Sequence, residues 1–469
     1  MTLNDLWSAH RATHATGGHA TGDWTATGVS IDSRTLAPGD LFVALKGPNF
    51  DGHRFIADAL AKGAAAVVAE AESPHLPPEA PALRVADTQR ALEDLGRAAR
   101  AQSRARVVGV TGSAGKTGTK EALRHVLATQ GRVHAAVGSF NNHWGVPLTL
   151  ARLPQDTDFA VIEMGMNHAG ELAALTRMVR PDVAVITTVA SAHIEFFNSE
   201  AEIAEAKAEI LQGVPAAGTA VLPRDNVHYP RLRARAEAAG IAHIRCFGQH
   251  AEAEARALDI QADATGSTVT ASLGGTAQTL RVGQPGEHWV YNALAVLLAA
   301  QALGADRNDQ ALGAEMTAAA AALATIPLPD GRGGRERVPL ADGAFTLIDD
   351  SYNANPASMR AALSVLGADE GGRRLAVLGD MKELGAAAAD HHAALADPLA
   401  EAGVDQVFTC GPEMAALHAA LPASRRGGHA DTAAALIAAV TAALRPGDTV
   451  LVKGSASVRT GDIVAALRA

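Results

Sequence analysis

The run Thr111-Gly112-Ser113-Ala114-Gly115-Lys116-Thr117 is where the residue types of this chain most directly imply chemistry. It follows the apolar run Val107 to Val110 and precedes a stretch with Leu123, Val126 and Leu127 at helical spacing. A strand, loop and helix of this kind bind anions. Glycines let successive backbone N–H groups turn toward one phosphate, and the helix N-terminus adds the positive end of its dipole. Lys116 would neutralise the outer phosphates of a nucleotide, and Thr117 would offer its hydroxyl to Mg²⁺. The usual spacing places a glycine at position 110. Val110 stands there and Gly112 supplies the earlier glycine, so the loop is a shortened relative of the common one. Kinases, ATPases, GTPases and ligases all use such a loop, and the reaction has to be read from other residues.

Several residues qualify, each with a plainer alternative. Glu163 falls within the apolar run Phe159 to Met164, where a carboxylate is costly unless it is ion-paired or coordinates a metal. Lys207 lies in the helical, glutamate-rich stretch Glu202 to Leu211, whose plain reading is a solvated lysine. Asn292 begins the apolar helical stretch Asn292 to Leu303 and reads as a helix cap. The Asp349-Asp350 pair reads as a turn with an Asx cap or as a ligand group, and Tyr352 as a packed aromatic or a ligand contact.

The elements that must position these groups follow from hydrophobic pattern. Val107 to Val110, Phe159 to Met164, Val183 to Val189 and Thr219 to Leu222 are continuous apolar strands alternating with helices, the signature of a parallel sheet covered on both faces. Ala257 to Val282 alternates polar and apolar residues, with turns at Gly266 and Gly274-Gly275, and reads as an antiparallel excursion. Before this region, Leu41 to Leu45, Ala64 to Ala69 and Ala82 to Val85 are the short strands of a small α/β unit. After it, the proline- and glycine-bearing segment Ile326 to Gly334 is a linker and hinge candidate. Strands at Thr346 to Ile348, Leu375 to Leu378, Gln406 to Thr409 and Thr449 to Val452 then alternate with alanine-rich helices in a doubly wound pattern. The expected fold is α/β in three domains. Residues 1–104 form a small α/β domain, 105–328 a central domain that carries the phosphate loop on a parallel sheet, and 329–469 a C-terminal doubly wound, Rossmann-like domain.

Composition limits the function. Lys and Arg number 40 against 50 Asp and Glu, a formal charge of −10, so general affinity for nucleic acid or an anionic membrane is disfavoured and any polyanion must be gripped locally. Cys246 and Cys410 are too far apart for metal-type spacing, and two cysteines make no disulfide framework, which points to a reducing compartment. Met1 to His10 lacks the basic and apolar regions of a signal peptide, so the expectation is a cytoplasmic protein.

Four further segments accompany the loop: Asn141 to Pro147 (NNHWGVP), Glu163 to His168 (EMGMNH), Ala192-His193 with Lys207 14 residues on, and Asp349 to Pro356 (DDSYNANP). In this order they resemble the Mur ligases. DDSYNANP, Leu378 to Gly385 (LGDMKELG) and Val452 to Ser455 (VKGS) resemble, within that family, the members that add D-alanyl-D-alanine, and the similarity extends to Asp32-Ser33-Arg34 and Phe42 to Phe55. DDSYNANP and the muramyl-type first unit argue against another amino-acid-adding Mur ligase or a folate polyglutamate synthase, and Glu163, His193 and Lys207 argue against a nucleotide-dependent binding or regulatory protein that kept the loop without chemistry.

The resemblance implies an ATP-dependent amide ligase of peptidoglycan precursor synthesis. It would join D-alanyl-D-alanine to UDP-N-acetylmuramoyl-tripeptide through an acyl phosphate, with Mg²⁺, as a monomer. It assigns catalysis to Lys116, Glu163, His193 and Lys207, and metal binding to Thr117, Glu163, His193 and Lys207, the lysine as a carbamate. ATP would meet Thr111 to Thr117 together with Asn292, Arg332, Asp350, Tyr352 and Asn353. The uridine nucleotide would meet Ser33, Arg34, Lys46, Asn49 and Phe50, and the reacting end of the tripeptide Asn141 and Asn142. Lys453 and His392 match motif positions and are either dipeptide or phosphate contacts or surface residues. Gly118 departs from the Ser or Thr of relatives, with the expectation that it loosens the first helical turn.

Overall fold

The computed structural model describes residues 5–191, 194–304, 317–369 and 371–469. Three sheets of five, nine and six strands carry the described residues, with a further two-stranded pair, Trp7–Ser8 with Thr25–Ala26. The first has five strands, ordered His19–Thr21, Ala82–Val85, Ala66–Glu70, Asp40–Val43 and Gly28–Ser30, parallel except at its first pair. Its helix Thr88–Gln102 packs on the helix Gly145–Ala151, so that Leu148 and Ala151 join the first sheet's core.

The central sheet has nine strands. From Ala255–Asp263 through His243–Gly248, Thr219–Pro223, Val183–Ile186, Arg106–Thr111 and Phe159–Glu163 to Val133–Ala135 all neighbours are parallel. Side chains alternate between its faces. Val108 and Val110 pack with the helices Lys116–Leu127 and Glu287–Gly304, whereas Val107, Ala160 and Ile162 pack with the helices Gly145–Ala151, Glu171–Val179 and Glu200–Ala208. Both faces are covered, which is why the strands read as unbroken apolar runs. The excursion is present as Gly266–Leu273 and Thr276–Val282, an antiparallel hairpin added to Ala255–Asp263. Its tight turn is Gly274-Gly275, at φ 55° and 89°, a left-handed pair that glycine adopts without strain.

The third sheet runs Gly334–Leu340, Gly343–Asp350, Thr449–Lys453, Arg374–Gly379, Gln406–Cys410 and Arg426–Ala430. Its first pair is antiparallel and the rest parallel. The strand Gly334–Leu340 was not read from sequence; it begins at the last residue of the expected linker. The strand expected over Val183 to Val189 stops at Ile186, and the residues beyond it fold against the phosphate loop.

Two expectations, one for Asn292 and one for the loop's own helix, are corrected. The helix holding Asn292 begins at Glu287, so Asn292 lies inside it and is no cap. Gly118 does not act as a loosened turn. A Cβ built on it would lie 2.7 Å from the ring of Trp289, a buried residue of the helix Glu287–Gly304, so glycine makes room for an indole between two packed helices. Intrinsic propensity and packing therefore predict opposite signs for Gly118→Ser. Serine is the better helix former by a few tenths of a kcal/mol, but overpacking costs roughly 1–3 kcal/mol. The expected result is a net destabilisation of about 1–2 kcal/mol, read as a lower urea midpoint at unchanged slope.

Candidate active site

The strand Arg106–Thr111 lies between Phe159–Glu163 and Val183–Ile186, with Val110 opposite Glu163 and Thr111 opposite Ile186. The C-terminal ends of three central strands thus converge where open parallel sheets hold their ligands. Gly115, at φ 81°, directs the chain into the helix Lys116–Leu127. A Cβ on Gly112 would fall 1.9 Å from the Thr187 hydroxyl. That hydroxyl donates to Ala114 O at 2.6 Å, and Ser113 N donates to Thr188 O at 2.9 Å, which ties the loop to the end of the neighbouring strand.

Lys116 folds back so that Nζ donates to Gly112 O at 2.7 Å. Burial of the ammonium lowers its pKa; Glu163 opposes this and Arg332 adds to it. Glu163 is almost fully buried. Its Oε1 accepts from Asn141 Nδ2 at 2.7 Å and from Thr117 Oγ1 at 3.2 Å, while Oε2, also buried, has no partner among the described residues. An unpartnered buried carboxylate oxygen next to a threonine hydroxyl is a hard-oxygen pair that fits Mg²⁺. Ala192 and His193 lie outside the described residues, so His193 is not placed here. Among the described residues no three His, Cys, Asp or Glu side chains cluster as a metal site, so any cation would be held by Thr117 and Glu163 with further groups.

Lys207, in the last turn of the helix Glu200–Ala208, is 1% exposed. The solvated-lysine alternative is thereby excluded. Burial first, and then the charge of Lys116, push its amine well below the ordinary lysine range and favour the uncharged form.

A cavity of about 920 Å³ joins the loop to the third sheet's strand ends, with Lys116, Glu163, Asn292, Arg332, Asp350 and Lys453 among its walls. The Asn292 amide packs directly beside Gly115, where a Cβ would lie only 3.0 Å from it. The guanidinium of Arg332 lies 4.1 Å from the centre of the Tyr352 ring, and its Nη2 donates to Ser139 Oγ at 3.0 Å. Asn355 Nδ2 donates to Ser113 O at 3.2 Å. The two aspartates divide the alternatives offered for them: Asp349 Oδ1 accepts from the backbone and hydroxyl of Ser351 as a turn cap, whereas Asp350 accepts from Lys453 at 2.7 Å inside the cavity. Burial raises the Asp350 carboxyl despite the opposing charge of Lys453. Lys453 also donates to Asn353 O at 2.8 Å and is no surface residue. His392 is buried away from the cavity, where Nε2 accepts from Met381 N at 2.9 Å, so its part is structural.

The first unit's candidates do not line this cavity. Ser33 is buried and its carbonyl accepts from Lys62. Arg34 is exposed and paired with Asp32. Lys46, Asn49 and Phe50 are exposed on a loop closed by Gly47 N to Phe50 O at 2.9 Å. Phe50 meets Trp144 edge-on at 5.7 Å, which brings that loop to the segment carrying Asn141 and Asn142. Asn142 Oδ1 caps the helix Gly145–Ala151 by accepting from Trp144 N and Gly145 N. Sequence reasoning missed Lys120, Ser139, Thr187 and Trp289; none belongs to a recognisable spacing, and only the fold brings them to the loop.

A phosphate loop and a buried carboxylate on a parallel sheet, faced by an arginine from the segment that leads into a second sheet and by an aspartate at the end of one of that sheet's strands, define a nucleotide-dependent ligase site. The chain matches the Mur ligase family catalytic domain over residues 25–106, the Mur ligase middle domain over 110–300 and the Mur ligase glutamate ligase domain over 335–456, and it belongs to the Mur ligase family. Among its relatives, the UDP-N-acetylmuramoyl-tripeptide–D-alanyl-D-alanine ligase of Escherichia coli K12 is 37% identical, covering 95% of this chain and 94% of that protein. The enzyme of the same name from Bacillus subtilis is 35% identical over 93% and 92%. Two crystal structures are similar. MurF from Acinetobacter baumannii matches with TM-score 0.84 and 30% identity over 98% of both chains. MurF ligase from Thermotoga maritima in complex with ADP matches with TM-score 0.77 and 28% identity over 94% of this chain and 97% of that one.

The burial of Lys207 has a measurable consequence. With its folded pKa depressed below the unfolded value of about 10.4, the unfolded chain binds more protons, and stability rises with pH up to the ordinary lysine range. In CO₂-free buffer, Lys207→Met should be more stable than the parent near neutral pH, and the gap should narrow as pH rises toward about 10. Urea unfolding across that range checks it; a gap independent of pH contradicts it.

Proposed function

We propose that this chain is an ATP-dependent ligase that joins D-alanyl-D-alanine to UDP-N-acetylmuramoyl-tripeptide in peptidoglycan precursor synthesis, forming ADP and phosphate. The observation that carries the reading is the convergence of Lys116, the half-satisfied Glu163 and Arg332, from the segment just before the third sheet, on one cavity, in a chain whose full-length relatives bear that name.

A tripeptide carboxylate and a triphosphate repel each other, so fixed cations must neutralise both while aligning them. The carboxylate oxygen attacks the γ-phosphorus and ADP leaves. The dipeptide amine then attacks the acyl carbon, loses a proton, and phosphate departs as the amide bond forms. Lys116 and Arg332 face the transferring phosphate. Thr117 and Glu163, with His193 and Lys207 as its carbamate, would hold Mg²⁺, which when bound supplies charge neutralisation at the phosphates. The downward shift of the Lys207 amine, caused by burial and then by Lys116, supports that role, because only a neutral amine takes up CO₂. The backbone of Thr111 to Gly115 cradles the phosphates, Asn292 takes the adenine side, and Asp350, Tyr352 and Asn353 take the ribose side.

Ser33, Arg34, Lys46, Asn49 and Phe50 hold the uridine nucleotide, and Asn141 and Asn142 flank the reacting end. This assigns substrate binding to residues 1–104, ATP binding to 105–328 and closure over the acyl phosphate to 329–469. Exclusion of water there protects the intermediate from hydrolysis. We place the enzyme in the cytoplasm, a reading supported by two buried, unpaired cysteines, and as a monomer.

Phosphate release from ATP should require the nucleotide-linked tripeptide, and should run to steady turnover only when D-alanyl-D-alanine is added. Equal hydrolysis with and without tripeptide would contradict the reading.

A further inference from the structure

The segment Ala136 to Asn141 contributes no residue to the phosphate loop itself, yet five hydrogen bonds tie it to the site. Lys120, fully buried on the loop's helix, donates from Nζ to Ala136 O at 2.8 Å and to Gly138 O at 2.6 Å, with the Glu121 carboxylate 2.8 Å away. A buried ammonium is tolerated only when it is paired and hydrogen-bonded, so these contacts fix the segment's backbone to the helix. The next residue, Ser139, places Oγ 3.2 Å from Thr117 Oγ1 and 3.0 Å from Arg332 Nη2. Two residues on, Asn141 donates to Glu163 Oε1.

The protons in this chain have only one consistent order. A guanidinium can only donate, so Ser139 accepts from Arg332. Thr117 gives its single proton to Glu163 Oε1 at 3.2 Å. The proton between the two hydroxyls therefore belongs to Ser139. The sequence runs from Arg332 N–H to Ser139, from Ser139 O–H to Thr117, and from Thr117 O–H to Glu163. Thr117 Oγ1 accepts one hydrogen bond and keeps a second lone pair, which is what a hard cation requires, beside the unpartnered Glu163 Oε2.

We infer that Ser139 is a positioning residue that couples Arg332, at the start of the third unit, to the cation-binding pair Thr117 and Glu163, so that divalent-metal binding and the docking of Arg332 strengthen each other through one hydroxyl. Such coupling is reciprocal. The inference rests on the proposed metal–nucleotide reading, but its test needs no ligation reaction.

Mn²⁺ is titrated into the full chain with a non-hydrolysable ATP analogue, with free Mn²⁺ followed by electron paramagnetic resonance, for the parent, Ser139→Ala, Arg332→Met, the double variant and Ser139→Thr. Each of the first two substitutions should weaken Mn²⁺ binding by about 5- to 10-fold, the range of ordinary site–site coupling. The double variant should bind no more weakly than the weaker single one, and Ser139→Thr should retain parental affinity. Single effects that multiply in the double variant, or parental affinity in Ser139→Ala, would overturn the inference. A parent that binds Mn²⁺ and nucleotide with this coupling but releases no phosphate with both substrates would remove the ligase reading and leave the coupling intact.

Discussion

Glu163 is buried at the end of a central strand with two donors on one carboxylate oxygen and none, among the described residues, on the other. Leaving a buried polar atom unsatisfied costs about 1–3 kcal/mol, and more when the group is charged. Against a total stability of roughly 5–15 kcal/mol this is an appreciable cost, and here the free lone pairs stand beside the phosphate loop. A divalent cation brought in with a nucleotide would satisfy them. The remaining parts of the site can be understood as what places a triphosphate and an acceptor around that oxygen.

The parallel sheet does most of this placement. Because Arg106–Thr111 and Phe159–Glu163 run in register, the phosphate loop and the carboxylate leave the sheet at the same level and on adjacent strands. The loop is braced by Thr187 and Thr188 on one side, and its helix by the Trp289 ring against Gly118 on the other. The third unit brings charges the central sheet lacks: Arg332 stacked on Tyr352, and Asp350 held by Lys453. Division of the site between two sheets suits a reaction whose intermediate must be shielded from water yet whose substrates must enter and leave.

What was legible in the sequence was local. Glycine, lysine and threonine between an apolar run and a helical period announce a phosphate loop, and a carboxylate within an apolar run announces a group with a purpose. The three-sheet order follows from strand runs and turn residues. Features set by distant packing were not legible. Lys207 looks solvated because its helix is rich in glutamate, and only the fold places it near Lys116. Gly118 stood out as a departure, but its reason is an indole far along the chain. Asn292 looked like a cap because Glu287 to Tyr291 carry no start signal, although the helix already runs through them. Ser139 and Lys120 sit in no motif, and their importance comes from contacts between segments.

The most direct test of the central claim is the thermal stability of the parent and of Glu163→Gln, each with a non-hydrolysable ATP analogue, with and without Mg²⁺. If the free oxygen of Glu163 is the seat of the cation, Mg²⁺ should raise the Tm of the nucleotide-bound parent, whereas the glutamine variant should show little or no Mg²⁺-dependent rise. An equal Mg²⁺-dependent rise in both proteins would contradict the account.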